Sequence, residues 1–99
     1  MTPEGKIKAM VKRGLDKLPR VYRFMPVQNG MGAPGLDFFL CINGVFVAIE
    51  TKAPGKKLTP RQETTMQEIC AAGGFAFMID SQERCDAVMV LLSYLCQSS

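Results

Sequence analysis

The chain has 99 residues, which is enough for one folded domain (residues 1–99) with a modest hydrophobic core. Hydrophobic residues make up 47% and charged residues 21%, with a net charge of +3, and this composition excludes an intrinsically disordered chain. The sequence contains no histidine, which excludes a Ser-His-Asp triad, a Cys-His pair and any metal site with histidine ligands.

The first third of the sequence predicts a helix, a strand and a loop. Thr2 followed by Pro3 is typical of a helix N-cap and first helical position, and apolar residues then recur at helical spacing. We therefore predict an amphipathic helix over 3–18. Residues 21–25 are rich in strand-forming types and predict a strand, whereas 28–35 contains three glycines and a proline and predicts a loop.

The middle of the sequence predicts a β-hairpin. Two apolar segments, 36–42 and 45–52, are separated only by Asn43 and Gly44. Asn-Gly between two such segments indicates a two-residue type I′ turn.

The rest of the chain predicts a helix, a strand and a helix. Thr59 and Gln62 have the spacing of a capping box, which begins a helix to about residue 72. Residues 75–79 predict a short buried strand, and Ser81 caps a last helix through about residue 96. The order αβββαβα predicts an α/β fold, a mixed sheet with helices on its faces.

The four cysteines show no Cys-x-x-Cys spacing, which excludes a zinc ribbon and a redox motif. We expect them to be reduced and packed as small hydrophobic residues, as in a cytoplasmic protein. No apolar segment approaches the roughly 20 residues of a membrane span. The first six residues show no apolar signal segment, so we expect neither secretion nor a membrane partner.

Positive charge is concentrated in the first part of the chain. Residues 1–61 contain eleven Lys or Arg against four Asp or Glu, whereas 62–99 contain one basic residue against five acidic ones. This asymmetry favours a surface for a polyanion, although a solvated basic helix would show the same pattern.

The predicted hairpin brings two carboxylates together. A two-residue turn pairs Ile42 with Val45, and the same register sets Asp37 opposite Glu50 on one face. Like charges in this position are destabilising unless one carboxylate is protonated or a cation lies between them. Lys52 supplies one positive charge on that face. A divalent cation would use both acids, and hard oxygen ligands favour Mg²⁺ or Mn²⁺ over zinc. The alternative is an exposed Glu50–Lys52 pair, with Asp37 only beginning a strand.

Two more polar residues are predicted to face the sheet. Glu4 lies within about 20° of Val11 and Leu15 on a helical wheel, at the centre of the apolar stripe. Gln62 lies on the side of its helix that faces the sheet. Glu4 could instead only favour the helix dipole, and Gln62 could only complete the capping box.

These residues resemble a known nuclease superfamily. Asp37, then Glu50-Thr51-Lys52 thirteen positions later, then Gln62, is similar to the PD-(D/E)XK pattern. The sequence from Ile49 to Gln62, followed by Gly73-Gly74, resembles the virus-type replication-repair nuclease (VRR-NUC) domain in its small standalone phage form. One departure is Leu36, since the superfamily pattern has proline before the aspartate.

The resemblance implies a restriction-endonuclease-like αβββαβ core with an added C-terminal helix, and a metal-dependent nuclease site. It implies Asp37, Glu50 and the backbone carbonyl of Thr51 as Mg²⁺ ligands, Mn²⁺ being a substitute. It also implies that Lys52 activates or orients the attacking water, that Gln62 supports the nucleophile or phosphate, and that Glu4 holds a metal-bound water. Residues available to bind DNA phosphates are Lys6, Arg13, Lys17, Lys56, Lys57 and Arg61.

The function expected from this resemblance is Mg²⁺-dependent cleavage of branched DNA, such as Holliday junctions, by a homodimer in the cytoplasm of a phage-infected host. The apolar character of residues 87–92 in the last helix favours association. Two alternatives stay open. One is a catalytically weak DNA-binding module of a replication or repair complex, and the other is an interaction protein with a structural ion.

Overall fold

A computed structural model describes residues 1–27 and 35–97, so the predicted loop over 28–35 lies outside the described residues except for Gly35. Helices and strands follow one another in the predicted order. Their bounds are α1 Pro3–Asp16, β1 Val21–Phe24, β2 Phe38–Ile42, β3 Val45–Thr51, α2 Pro60–Ala71, β4 Phe75–Ile79 and α3 Gln82–Gln97.

The strands form one mixed sheet in the order β1-β2-β3-β4. β1 pairs antiparallel with β2, and β2 pairs antiparallel with β3. β4 pairs parallel with β3, because α2 forms the crossover that returns the chain to the same end of the sheet. The predicted α/β architecture with a mixed sheet is confirmed.

The tight turn between β2 and β3 has the geometry that its sequence predicts. Asn43 has φ 49° and Gly44 has φ 87°, as a type I′ turn requires. The pairing runs from Ile42 with Val45 to Phe38 with Ile49. β2 begins two residues later than predicted, so Asp37 directly precedes the strand while keeping the register that brings it to Glu50.

The main core lies between the sheet and two helices. α1 contributes Ile7, Val11 and Leu15, and these pack with alternate residues of β2 and β3 and with one side of α3. Cys85 and Cys96 of α3 are buried there as small hydrophobic residues. The expectation of burial is wrong for the other two cysteines, Cys41 and Cys70, which are exposed, because each lies on the side of its element that faces away from this core.

The opposite face of the sheet is only partly covered. α2 contacts β4, and its Ile69 lies beside Phe46, a residue that points away from the core. Toward β1 the same face exposes aromatic side chains, with Tyr22 73% and Phe24 58% exposed. Within residues 1–27 and 35–97, no helix combines the length and apolar content of a membrane-spanning segment.

Each predicted helix start has the expected cap. The Thr2 side chain accepts a hydrogen bond from the Gly5 N–H, and the Ser81 hydroxyl accepts one from the Arg84 N–H. Thr59 forms both halves of the capping box at α2. These caps set where the helices begin, and the capping box of α2 also fixes the position of the Gln62 side chain.

We expect Gly44→Ala to lower the free energy of unfolding by about 1 kcal/mol or more, because an alanine at φ 87° is strained. A Cβ at this position would meet nothing within 4 Å, so the loss would report backbone strain and not a clash. Urea denaturation of the two proteins measures the difference, and an unchanged midpoint would contradict the turn assignment.

Candidate active site

Asp37 is a buried carboxylate held in place by β3. Its Oδ2 accepts a hydrogen bond of 2.9 Å from the Thr51 backbone N–H and one of 2.5 Å from the Thr51 hydroxyl. Asp37 is 9% exposed and Thr51 is fully buried. Two donors on one oxygen fix the orientation of the carboxylate, and both Thr51 donors use Oδ2 rather than Oδ1.

Glu50 is the second buried carboxylate, and it connects three parts of the fold. Its Oε1 accepts a hydrogen bond of 3.1 Å from the backbone N–H of Asp37, and its Oε2 accepts one of 3.1 Å from Nε2 of Gln62 in α2. Glu50 is only 4% exposed. The predicted juxtaposition of Asp37 and Glu50 is therefore present, with Gln62 beside them.

Two lysines complete the site. The Nζ of Lys52 lies 3.8 Å from Oε2 of Glu50, and the Nζ of Lys8 lies 3.5 Å from Oδ1 of Asp37. Lys52 was predicted from the sequence, whereas Lys8 was not. The signal was available, because a helical wheel puts Lys8 about 20° from Leu15, as close to the apolar stripe as Glu4.

The electrostatics of the pair are dominated by burial. Loss of solvation, and then the neighbouring Asp37 carboxylate, raise the pKa of Glu50 from 4.5 to about 7. Lys52 and the Asp37 backbone N–H act in the opposite direction but do not cancel this effect. Glu50 is therefore poised to take up or release a proton, or to exchange it for a cation, close to neutral pH.

Glu4 lies near the site but is not buried. We predicted it at the centre of the apolar stripe, yet the structure leaves it exposed. The reason is that burial of α1 begins at Ile7, so the first turn projects beyond the core. Its carboxylate is nevertheless close enough to Glu50 to raise the pKa of that residue.

The basic residues predicted to bind DNA are exposed and fall into two groups. Lys6, Arg13 and Lys17 lie on α1 and its C-cap, and Lys56, Lys57 and Arg61 lie between β3 and the first turn of α2. Arg13 and Lys17 line a groove between α1 and α3, together with Asp86. Lys17 lies nine residues beyond Lys8, about 13 Å farther along the helix axis. Lys56, Lys57 and Arg61 precede Gln62 in sequence.

The donor set suits a hard cation with few protein ligands. Within residues 1–27 and 35–97, no group of three or more Asp, Glu, Cys or His side chains converges as a metal site. Mg²⁺ is commonly bound by one or two carboxylates, with water and substrate phosphate completing its coordination. A buried pair of acids with only oxygen donors fits that mode of binding, and it does not fit zinc.

Comparison with known proteins supports the fold. No family model and no curated protein matches the sequence. A solved structure described as a "VRR_NUC domain" is similar to this chain at a TM-score of 0.76 and 20% sequence identity. The match covers 91% of this chain and 97% of that one. The restriction-endonuclease-like α/β fold predicted from the sequence is therefore confirmed.

We expect the stability of the metal-free protein to depend on Glu50 between pH 4.5 and 8. Folded Glu50 keeps its proton up to about pH 7, whereas the unfolded chain releases it near pH 4.5. Its contribution is therefore complete below pH 4.5 and is lost as the pH rises through 7, a change of at most about 3 kcal/mol.

Denaturation of wild type and Glu50→Gln in EDTA measures this effect. The variant should gain stability relative to wild type as the pH rises from 4.5 to 8. Glu63→Gln is the matched control, because Glu63 is an exposed carboxylate next in sequence to Gln62. A difference between wild type and Glu50→Gln that does not change with pH would contradict the raised pKa.

Proposed function

We propose that this protein is a metal-dependent endonuclease that hydrolyses phosphodiester bonds in DNA. The observation that carries the proposal is the buried Asp37–Glu50 pair, which Gln62 and two lysines surround at the end of β3. This arrangement lies in a nuclease-type fold. Two adjacent buried carboxylates destabilise the fold through desolvation and mutual repulsion, and a bound cation would offset both effects.

Asp37 and Glu50 would hold Mg²⁺, with the backbone carbonyl of Thr51 as a further ligand and Mn²⁺ as a substitute. When bound, such an ion lowers the pKa of water and offsets charge on the phosphoryl group. Thr51 holds Asp37 through its N–H and hydroxyl, so the orientation of the carboxylate is set before any ligand arrives.

Lys52 and Gln62 both contact Oε2 of Glu50, and from there they would act on the reacting groups. The Lys52 side chain is 14% exposed, and its ammonium lies beside Glu50, where it would orient the attacking water and offset negative charge on the phosphate. Gln62 holds Oε2 of Glu50, and Glu4 at the mouth of the site would hold a water molecule of the ion.

The substrate we infer is branched DNA, such as a Holliday junction. Exposed cations lie on the connection between β3 and α2 and at the start of α2, next in sequence to Gln62, and would contact phosphates flanking the cleaved bond. These residues are Lys56, Lys57 and Arg61. Lys6 is a further exposed cation of α1, and Arg13 and Lys17 extend the basic surface along the groove toward α3.

A homodimer would present two sites to a symmetric junction, and the structure contains a surface suited to it. We refer to it as the β4–α3 groove. Phe75 and Phe77 stack there with ring centroids 6.3 Å apart, and Leu91 and Tyr94 are 52% and 64% exposed. The groove lies beside the free edge of β4, and an exposed apolar surface next to an unpaired strand edge is a candidate interface.

We expect the protein to nick a labelled four-way junction in Mg²⁺ and not in EDTA. Asp37→Asn and Glu50→Gln should each lower the rate at least about 100-fold, since each removes a charged ligand at the site. Lys52→Met should lower the turnover rate more than the affinity for DNA, because its role is in the reaction.

Glu63→Gln is the matched control and should cleave like wild type, because its exposed carboxylate makes no contact with the site. Equal cleavage by wild type and Asp37→Asn would overturn the proposal. Binding of the junction with no cleavage in either Mg²⁺ or Mn²⁺ would identify the protein as a DNA-binding module with this fold.

We expect Leu91→Asp to weaken association of the two copies at least about tenfold, because it places a charge in the apolar β4–α3 groove. Sedimentation velocity over a concentration series measures this effect. Ala87→Asp, on an exposed position of the same helix outside the groove, is the matched control. A monomer at every concentration of wild type would overturn the dimer.

A further inference from the structure

Lys8 occupies a position in the site that the sequence pattern does not assign. Its Nζ lies 3.5 Å from Oδ1 of Asp37, while the other oxygen of Asp37 is held by two hydrogen bonds from Thr51. The ammonium therefore faces the oxygen of Asp37 that Thr51 leaves available. That oxygen is the one through which Asp37 would bind a cation.

Each buried carboxylate has one ammonium group beside it, but the two lysines differ in accessibility. The Lys52 side chain is 14% exposed, whereas that of Lys8 is 34% exposed and comes from α1, outside the sheet. Lys8 can therefore leave the carboxylate for solvent or for an anion without unpacking the core. A contact of 3.5 Å to a partly exposed lysine is weak enough to exchange.

We propose that Lys8 is a built-in counter-ion of the carboxylate pair, which stabilises Asp37 in the metal-free protein and competes with the divalent cation for Oδ1. This inference rests on the proposed function. Binding of the cation displaces the ammonium, which stays at the mouth of the site because α1 is packed by Ile7 and Val11. There it contacts the substrate phosphate, so Lys8 is a positioning residue before cation binding and a phosphate ligand after it.

The proposal predicts opposite changes in two measured quantities. Lys8→Met removes both the competitor and a positive charge near the cation, so it should tighten cation binding by about threefold or more. The same change removes a phosphate contact, so it should lower kcat/KM for junction cleavage at saturating Mg²⁺ by about tenfold. If Lys8 had a purely structural role, Lys8→Met would weaken cation binding and lower kcat/KM together.

Calorimetric titration with Mn²⁺ at pH 8 and moderate salt, without DNA, measures cation binding directly. Lys8→Arg keeps the charge and should bind Mn²⁺ like wild type. Lys12→Met is the matched control, because it removes the same charge from an exposed position one helical turn away. Thermal melting with and without Mn²⁺ gives a second readout, in which the cation should raise the Tm of Lys8→Met more than that of wild type.

Unchanged or weaker Mn²⁺ binding by Lys8→Met, with normal binding by wild type, would overturn the role of Lys8 and leave the proposed function intact. An equal gain in Lys12→Met would also overturn it, since the effect would then be one of net charge. If neither wild type nor Lys8→Met binds Mn²⁺, both this inference and the metal dependence of the proposed function fail.

Discussion

The structure depends on one electrostatic problem, which is how to hold two carboxylates side by side out of water. Asp37 and Glu50 are both buried, and burial and mutual repulsion raise the pKa of Glu50 to about 7. The protein offsets this cost with directed donors. A backbone N–H and a hydroxyl hold Asp37, and a backbone N–H and an amide hold Glu50. Within the described residues, every buried side-chain nitrogen or oxygen has a partner.

Much of the fold was predictable because the hairpin follows from two residues. Asn43 and Gly44 adopt positive φ, which selects a type I′ turn, and that turn sets the pairing of β2 with the first five residues of β3. The register of Asp37 and Glu50 follows from the same count. The sequence could not show that β2 begins only at Phe38, because the end of a strand depends on which backbone groups have partners.

The site residues were predictable where the strand register alone places them, and less so where the packing of α1 against the sheet decides which side chains reach the site. The two acids, Lys52 and Gln62 lie together as the pattern predicts. Glu4 was expected to be buried and is exposed, because periodicity gives the direction of a side chain but not where the core ends. Lys8 was overlooked for the converse reason: a lysine near an apolar stripe is usually read as a solvated residue, since its long side chain can reach solvent.

The side-chain amide of Gln62 joins the start of a helix to the chemistry of the site. Its Oε1 accepts a hydrogen bond from the Thr59 N–H, closing the cap of α2, while its Nε2 donates to Glu50. The Gln62 amide is thus oriented by a hydrogen bond at each of its two polar atoms. A glutamate at this position could still complete the cap, but it would add a third negative charge beside Asp37 and Glu50. An insertion or deletion between Lys52 and Thr59 can therefore be absorbed in the connecting loop, whereas any shift of the first turn of α2 would loosen the carboxylate pair itself.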